Sequence, residues 1–271
     1  MSLRGHVHTV AGDPAVCDEY GYRLGRPDGI LVLHYRFDEP VDFTERRQDL
    51  LHQIYWAPAG MLAVRHGNQT GFIGPTEVFW AHRAVTHEIR ADGGVLYRVC
   101  LREIPAGLVG LAAGAATITP EAAEQIQRLA GPGCDETEAA DSRVRIMAGL
   151  AATAATVSLG AGGGYAATVA RALTRDPADP TSLGEWADRL HVSTKTLQRD
   201  FEREYGMAYT RWRTVLRLKA SRVLLDRHPV TEVAHLVGYA SPSAFVAAFA
   251  REYGCTPGRH ATRRAPICHP G

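Results

Sequence analysis

Phe201-Glu202-Arg203-Glu204-Tyr205-Gly206 recurs 48 positions later as Phe249-Ala250-Arg251-Glu252-Tyr253-Gly254. Each copy closes a short amphipathic stretch that opens at a serine, Ser193 and Ser241. A repeat with a serine start and a glycine stop is one structural unit used twice. A shorter helical segment precedes each copy, Leu183 to Leu190 and Val230 to Val237, at an offset of 47. One residue is therefore inserted in the second turn.

Both copies read as helix, tight turn, helix, the element order of helix-turn-helix DNA readers. Ser182-Leu183-Gly184-Glu185 is a capping box, and Leu183, Trp186, Ala187 and Leu190 follow on one helical face. After Ser193, Leu197, Phe201 and Tyr205 recur every four residues and turn inward. Thr194, Lys195, Gln198, Arg199 and Glu202 are left outward, and Gly206 ends the helix. A charged outward face is usually only solvated. In a helix-turn-helix, however, the first half of the second helix meets base edges, where Arg or Lys suits guanine and Gln suits adenine. Thr194, Lys195, Gln198 and Arg199 are therefore the expected DNA-binding residues of the first unit.

In the second unit Gly238 supplies the turn, Ser241-Pro242 starts the helix, and Phe245, Phe249 and Tyr253 repeat the inward series. Its outward residues Ser243, Ala244, Val246, Ala247 and Arg251 offer few donors to base edges. Ser243, Ala244 and Ala247 are expected to touch thymine methyls or to position the helix on phosphate. Between the units, Met207 to Asp226 reads as a long helix with Trp212, Val215, Leu216, Val223 and Leu224 buried. Its Arg211, Arg213, Arg217, Lys219 and Arg222 are expected to make phosphate contacts or surface ion pairs.

The formal charge of +1 over 271 residues hides an asymmetry. Residues 1–180 hold 16 Arg and Lys against 21 Asp and Glu, while residues 181–271 hold 14 against 8. The repeat thus sits in the basic part, as a phosphate-binding surface requires. A composition of 45% hydrophobic and 22% charged residues suits globular domains. The absence of a long apolar run and of a signal-peptide core points to a cytoplasmic protein without membrane contact. Cys17, Cys100, Cys134, Cys255 and Cys268 are scattered, which argues against a disulfide framework or zinc finger.

Residues 29–105 alternate short Val, Ile, Tyr and Phe runs with turns such as Asp92-Gly93-Gly94, the pattern of a small antiparallel sandwich or barrel. Expected strands are Ile30 to Phe37, Leu51 to Ala57, Met61 to His66, Glu77 to Trp80, Thr86 to Arg90 and Val95 to Arg102. Residues 1–28 are polar and Gly-rich, and partial disorder is expected there. Residues 106–180 read as a helical connector. One helix starts at Thr119-Pro120-Glu121. A second covers Glu138 to Leu159, with Val144, Met147, Leu150 and Ala151 on one face, and a third covers Tyr165 to Leu173. Gly162-Gly163-Gly164 forms a flexible joint. The apolar faces suit a dimer interface or a cover for the β domain.

Gly238-Tyr239-Ala240-Ser241, Phe245, Phe249, Gly254 and Pro257 resemble the pattern that closes the DNA-binding domain of AraC/XylS-type regulators. That pattern ends in an Arg, here displaced or replaced around Arg259-His260. The resemblance spans Thr181 to His260 and implies two helix-turn-helix modules per monomer, set in successive major grooves. Leu51-His52-Gln53-Ile54-Tyr55-Trp56-Ala57-Pro58-Ala59-Gly60 and Phe79-Trp80-Ala81-His82-Arg83-Ala84-Val85-Thr86-His87 resemble the cupin-like sensor domain of some of these regulators. The family's first stretch starts His-x-His before the Gln, where this chain has Arg47 and Asp49. Its second reads Trp-x-Pro-x-Gly-x-x-His, where this chain has His82-Arg83-Ala84. The resemblance would place metal ligands at Arg47, Asp49, Gln53 and His87. A guanidinium cannot ligate a cation, so no metal and no cofactor are expected. Arg47, Asp49, Gln53, Tyr55 and His87 are instead the expected effector pocket. His52 faces away from Gln53 by strand alternation and is expected to be structural rather than ligand-binding.

The expected fold is α+β and multidomain: a cupin-like β-barrel or sandwich at 29–105, a helical connector at 106–180, an all-α domain with two helix-turn-helix units at 181–264 and a tail at 265–271. The expected function is sequence-specific transcription regulation without catalysis. Its partners are a double-stranded DNA operator, a small-molecule effector, a second copy in a homodimer, and RNA polymerase if the output is activation. Two rival readings stand beside it: a cupin-type metal-dependent enzyme fused to a DNA-binding tail, and a reader with a ligandless dimerisation domain.

Overall fold

The computed structural model describes residues 16–38, 40–43, 51–67, 69–152, 164–225 and 227–262. The chain divides into two compact bodies, Met1–Ala155 and Thr156–Gly271.

In the first body the strands are β1 (Val16–Tyr22), β2 (Ile30–Phe37), β3 (Val41–Phe43), β4 (His52–Trp56), β5 (Leu62–His66), β6 (Gln69–Ile73), β7 (Glu77–Ala81), β8 (Glu88–Ala91), β9 (Gly94–Leu101), β10 (Ala113–Ile118) and β11 (Leu150–Ala152). They form a seven-stranded sheet in the order β1-β2-β9-β4-β7-β10-β11 and a four-stranded sheet in the order β3-β8-β5-β6. Every pairing is antiparallel. Alternation decides the two faces of the larger sheet. Leu33, Tyr35, Tyr55 and Leu96 cluster with Leu62, Val64 and Ile89 of the smaller sheet. Ile30, Val32, Ile54, Trp80 and Val99 face the other way and pack with Ile126, Leu129, Ala139 and Ile146.

Those last four residues lie on α1 (Pro120–Leu129) and α2 (Glu136–Ala148). Thr119 caps α1 by accepting the Ala122 N–H at 3.2 Å, and Asp135 forms a capping box with Glu138 on α2. α2 does not run on to Leu159. It ends at Gly149, whose carbonyl accepts the Thr119 N–H at 3.0 Å. That bond turns the chain back along β10, with Leu150 opposite Ile118. The expected shared face of Val144, Met147, Leu150 and Ala151 therefore does not exist: Leu150 is buried in the sheet edge, while Val144 is 62% exposed.

Each of the six expected strands is present within one or two residues, but β1, β3, β6, β10 and β11 were not expected. β1 lies in the stretch expected to be partly disordered. It pairs with β2 over seven residues as an edge strand, where Asp18 and Glu19 remain half-exposed and cost little. Of the expected glycine joint, Gly162 and Gly163 lie outside the described residues.

In the second body the helices are α3 (Tyr165–Arg175), α4 (Leu183–Arg189), α5 (Thr194–Tyr205), α6 (Tyr209–Leu224), α7 (Val230–Leu236), α8 (Pro242–Tyr253) and α9 (Pro257–Thr262). The connector expected at 106–180 is split between the bodies: β10, α1 and α2 complete the first, whereas α3 packs on α5 in the second. The repeat also extends further than its sequence motif. α6 and α9 start at Tyr209 and Pro257, again 48 residues apart, and Phe201 meets Tyr209 and Trp212 much as Phe249 meets His260. Among the described residues no helix is long and apolar enough to cross a membrane.

Candidate nucleic-acid interface and ligand site

The two repeated units are built alike down to single hydrogen bonds. After α4 the chain turns on His191, in a left-handed conformation at φ 54, with Val192 N–H donating to Ala187 O at 3.0 Å and His191 N–H to Asp188 O at 3.1 Å. After α7 it turns on Gly238 at φ 80, with Tyr239 N–H donating to Ala234 O at 2.8 Å and Gly238 N–H to His235 O at 2.9 Å. These are the paired bonds that close a helix on a left-handed residue, a place where glycine is the easiest occupant. The residue added to the second turn is Ala240, since the register holds at 47 through Tyr239 and becomes 48 at Ser241.

Ser193 then caps α5 by accepting the Thr196 N–H at 3.0 Å, and Ser241 caps α8 by accepting the Ala244 N–H at 3.3 Å. Both helices end on left-handed glycines, Gly206 at φ 66 and Gly254 at φ 69. Leu197 and Phe201 on α5, like Phe245 and Phe249 on α8, are fully buried.

With that face buried, α5 presents Thr194, Lys195 and Arg199 to solvent. Neither Lys195 nor Arg199 has a hydrogen-bond or ion-pair partner among the described residues. Gln198 is half-buried and donates to Glu202 Oε1 at 2.8 Å, so it must exchange that partner to read a base. On α8 the exposed positions are Ser243, Ala244 and Ala247, with Val246 half-buried. The surfaces differ in chemistry: two free cations and an amide on one, a hydroxyl and methyl groups on the other.

The α6 arginines are engaged within the body rather than offered to a ligand. Arg213 donates to the carbonyls of Thr181, at 3.0 Å, and Asp179, and Arg217 donates to Pro177 O at 3.0 Å. Arg217 also lies over the Tyr239 ring at 5.9 Å, and burial with the nearby Arg213 lowers its pKa. Arg211 pairs with Glu252 at 2.7 Å, and Arg222 lies over Tyr253 at 5.2 Å. α6 thereby clamps the segment before α4 and the second unit around itself, a role that a charge pattern alone does not reveal.

In the first body, Gln53, Tyr55 and His87 come together between the sheets; Arg47 and Asp49 lie outside the described residues. Tyr55 Oη is hydrogen-bonded to Gln53 Oε1 and lies 3.2 Å from His87 Nε2. His87 Nδ1 is 2.8 Å from Val85 O and so carries the ring proton of the neutral form, because a carbonyl only accepts. Tyr55 then has one proton and two acceptors within reach. Arg98 was not anticipated: it faces Tyr55 in register, 6% exposed, with Cζ 5.5 Å from the Tyr55 ring centroid. Burial pushes the neighbouring Tyr35 phenol above its ordinary range, and Arg98 only partly offsets this. An arginine in a strand reads as outward-facing; only its alternation with Leu96 and Cys100 could have placed it inside.

In the turn delivering His87, Ala84 is left-handed at φ 64. This interior set does not suit a transition-metal ion: it offers one imidazole already engaged by Tyr55, an amide, and a guanidinium that repels cations. Among the described residues no three His, Cys, Asp or Glu side chains form a metal-holding group. His52 points to the opposite face, stacks on Trp80 at 5.2 Å and accepts the Arg83 N–H at 3.1 Å. Burial, aided by His82 and Arg83, pushes its pKa down to about 4, so it sits neutral in a packing role.

The helix-turn-helix domain family matches residues 186–263. The HTH-type transcriptional regulator RipA of Corynebacterium glutamicum is 40% identical over 98 residues, 36% of this chain and 30% of that protein. The HTH-type transcriptional regulator NimR of Escherichia coli is 34% identical over 101 residues, 37% of each chain. A putative AraC-like transcription regulator of Streptomyces antibioticus is 38% identical over 106 residues, 36% of this chain and 34% of that protein. The chain thus covers about a third of the length of these relatives. Residues 186–263 of this chain thus match the helix-turn-helix domain family and are similar to the corresponding part of proteins named AraC-like transcription regulators.

Proposed function

We propose that the chain is a sequence-specific DNA-binding transcription regulator in which α5 reads base edges and α8 mainly anchors. The observation that carries this reading is the exposed Lys195 and Arg199 pair on the first half of α5, where a helix-turn-helix meets the major groove. Ser243, Ala244 and Ala247 suit apolar contact with thymine methyls or placement on phosphate. RNA polymerase is a partner if the output is activation. Selection of binding sites from random DNA tests the reading. It should return a motif with a strong half and a weaker half about 10 base pairs away; no enrichment would sink it.

The first body, in this reading, is a cupin-like sensor that holds a small polar effector among Gln53, Tyr55, His87 and Arg98. Its support is the buried hydrogen-bonded set between the sheets, able to fix the orientation of one polar ligand. The effector acts by binding the DNA-competent and incompetent states unequally. A thermal-shift survey of small metabolites should find one that raises the melting temperature, and the Tyr55→Phe variant should weaken that rise. If no metabolite raises it, the ligandless reading gains. The second copy in a homodimer would dock on the outward side of α2, where Val144 is exposed. Sedimentation that finds only monomers at working concentration would oppose this.

A further inference from the structure

Asp200 belongs neither to the inward series Leu197, Phe201 and Tyr205 nor to the outward set Lys195, Gln198 and Arg199. It lies on a third side of α5 and is 5% exposed. One carboxylate oxygen accepts the Ala166 N–H at 2.8 Å, and Arg203, one turn further along α5, pairs with the same carboxylate. Ala166 is the second residue of α3, whose N-cap position is Gly164 with no side-chain acceptor of its own. The first amides of a helix lack partners inside it, and a carboxylate is favoured there by both hydrogen bonding and the helix dipole. α5 therefore supplies the cap that α3 lacks.

Two further observations make the contact specific. A Cβ at Gly164 would lie 2.7 Å from Asp200 Oδ2, so the glycine leaves the room that the carboxylate occupies. The repeat places Ala248 where the first unit has Asp200, so the second unit cannot make this link. The carboxylate is thus a feature of the first unit rather than of the shared scaffold.

We infer that Asp200 is a positioning residue for the first reading helix: it ties the pose of Lys195, Gln198 and Arg199 to the start of α3 at Gly164. The inference rests on the proposal that α5 reads DNA. Arg199 is the neighbour of Asp200 in sequence, so a displacement of the start of α3 acts on α5 within one residue of the cation expected at the bases.

The test uses the full chain and the operator that it selects from random DNA, with each half replaced in turn. Asp200→Ala should lose tenfold or more in affinity when only the first half is intact and less than threefold when only the second half is intact. Asp200→Asn, which keeps an acceptor oxygen for Ala166, should recover most of the loss. Gly164→Ala, which leaves α5 unaltered, should reproduce it. Amide exchange at Ala166 should speed at least tenfold relative to Ala170 in Asp200→Ala. Equal losses on both halves together with a lowered melting temperature in both Asp200→Ala and Gly164→Ala would mean that the contact is merely structural and overturn the inference. Unchanged affinity for the first half would overturn it too. A wild-type chain that enriches no site would instead overturn the DNA-reading proposal itself and this inference with it.

Discussion

Phe201 and Phe249 occupy the same place in the two repeated units, yet the outward positions beside them are occupied differently. Lys195, Gln198 and Arg199 in the first unit correspond to Ser243, Val246 and Ala247 in the second. Caps, turns and inward aromatics match, down to the hydrogen bonds that close each turn. What the repeat keeps is what a small helical unit needs in order to fold, and what it varies is the surface left over. The turns differ in one respect that bears on stability: a left-handed backbone is occupied by His191 in one and Gly238 in the other.

The comparison can be broken first in the two cores. Phe201 is fully buried against Tyr205, Tyr209 and Trp212, and Phe249 against Phe245, Tyr253 and His260. Truncating either to Ala should cost about 3–5 kcal/mol in urea unfolding followed by tryptophan fluorescence. Phe201→Ala should cost the more, because it removes the support of Trp212. A cost below about 1 kcal/mol at either site would mean that the repeated aromatics are not the scaffold.

Next come the turns and caps. Gly238→Ala puts a Cβ 2.7 Å from Arg217 Nη2 and 2.8 Å from Ala178 Cα at a left-handed position. It should cost roughly 2–3 kcal/mol. Ser193→Ala and Ser241→Ala should each cost about 1 kcal/mol, equally in the two units. His191→Gly should stabilise the first unit by about 0.5–1 kcal/mol, since glycine adopts its backbone without strain. A loss of stability there would mean that the His191 ring makes a contact worth more than the strain.

The same divide governs what was legible in the sequence. Strands such as Ile30–Phe37, a run of aliphatic and aromatic residues, and helix starts such as Thr119-Pro120 and Ser182 to Glu185 declare themselves through local chemistry. β10, spelled Ala-Gly-Ala-Ala-Thr-Ile, does not, because small residues carry no periodicity and only pairing with β7 and β11 makes it a strand. The alanine-rich run after α2 looked helical for the same reason, until the backbone bond from Thr119 to Gly149 ended it. At the candidate sites, Gln53 and His87 could be placed from motif spacing, and the outward residues of α5 from helical periodicity. Arg98, Asp200 and the clamping roles of Arg213 and Arg217 could not. Each depends on a partner 30 or more residues away in sequence, as with Asp200 and Ala166 or Arg217 and Pro177.

The most direct test of the unequal readers is the motif selected from random DNA by wild-type protein and by Arg199→Ala, measured side by side. Arg199→Ala should lose on the order of tenfold to a hundredfold in affinity, with base preference relaxed in the strong half and retained in the weak half. Selection of the same motif by both proteins, bound equally tightly, would contradict that expectation.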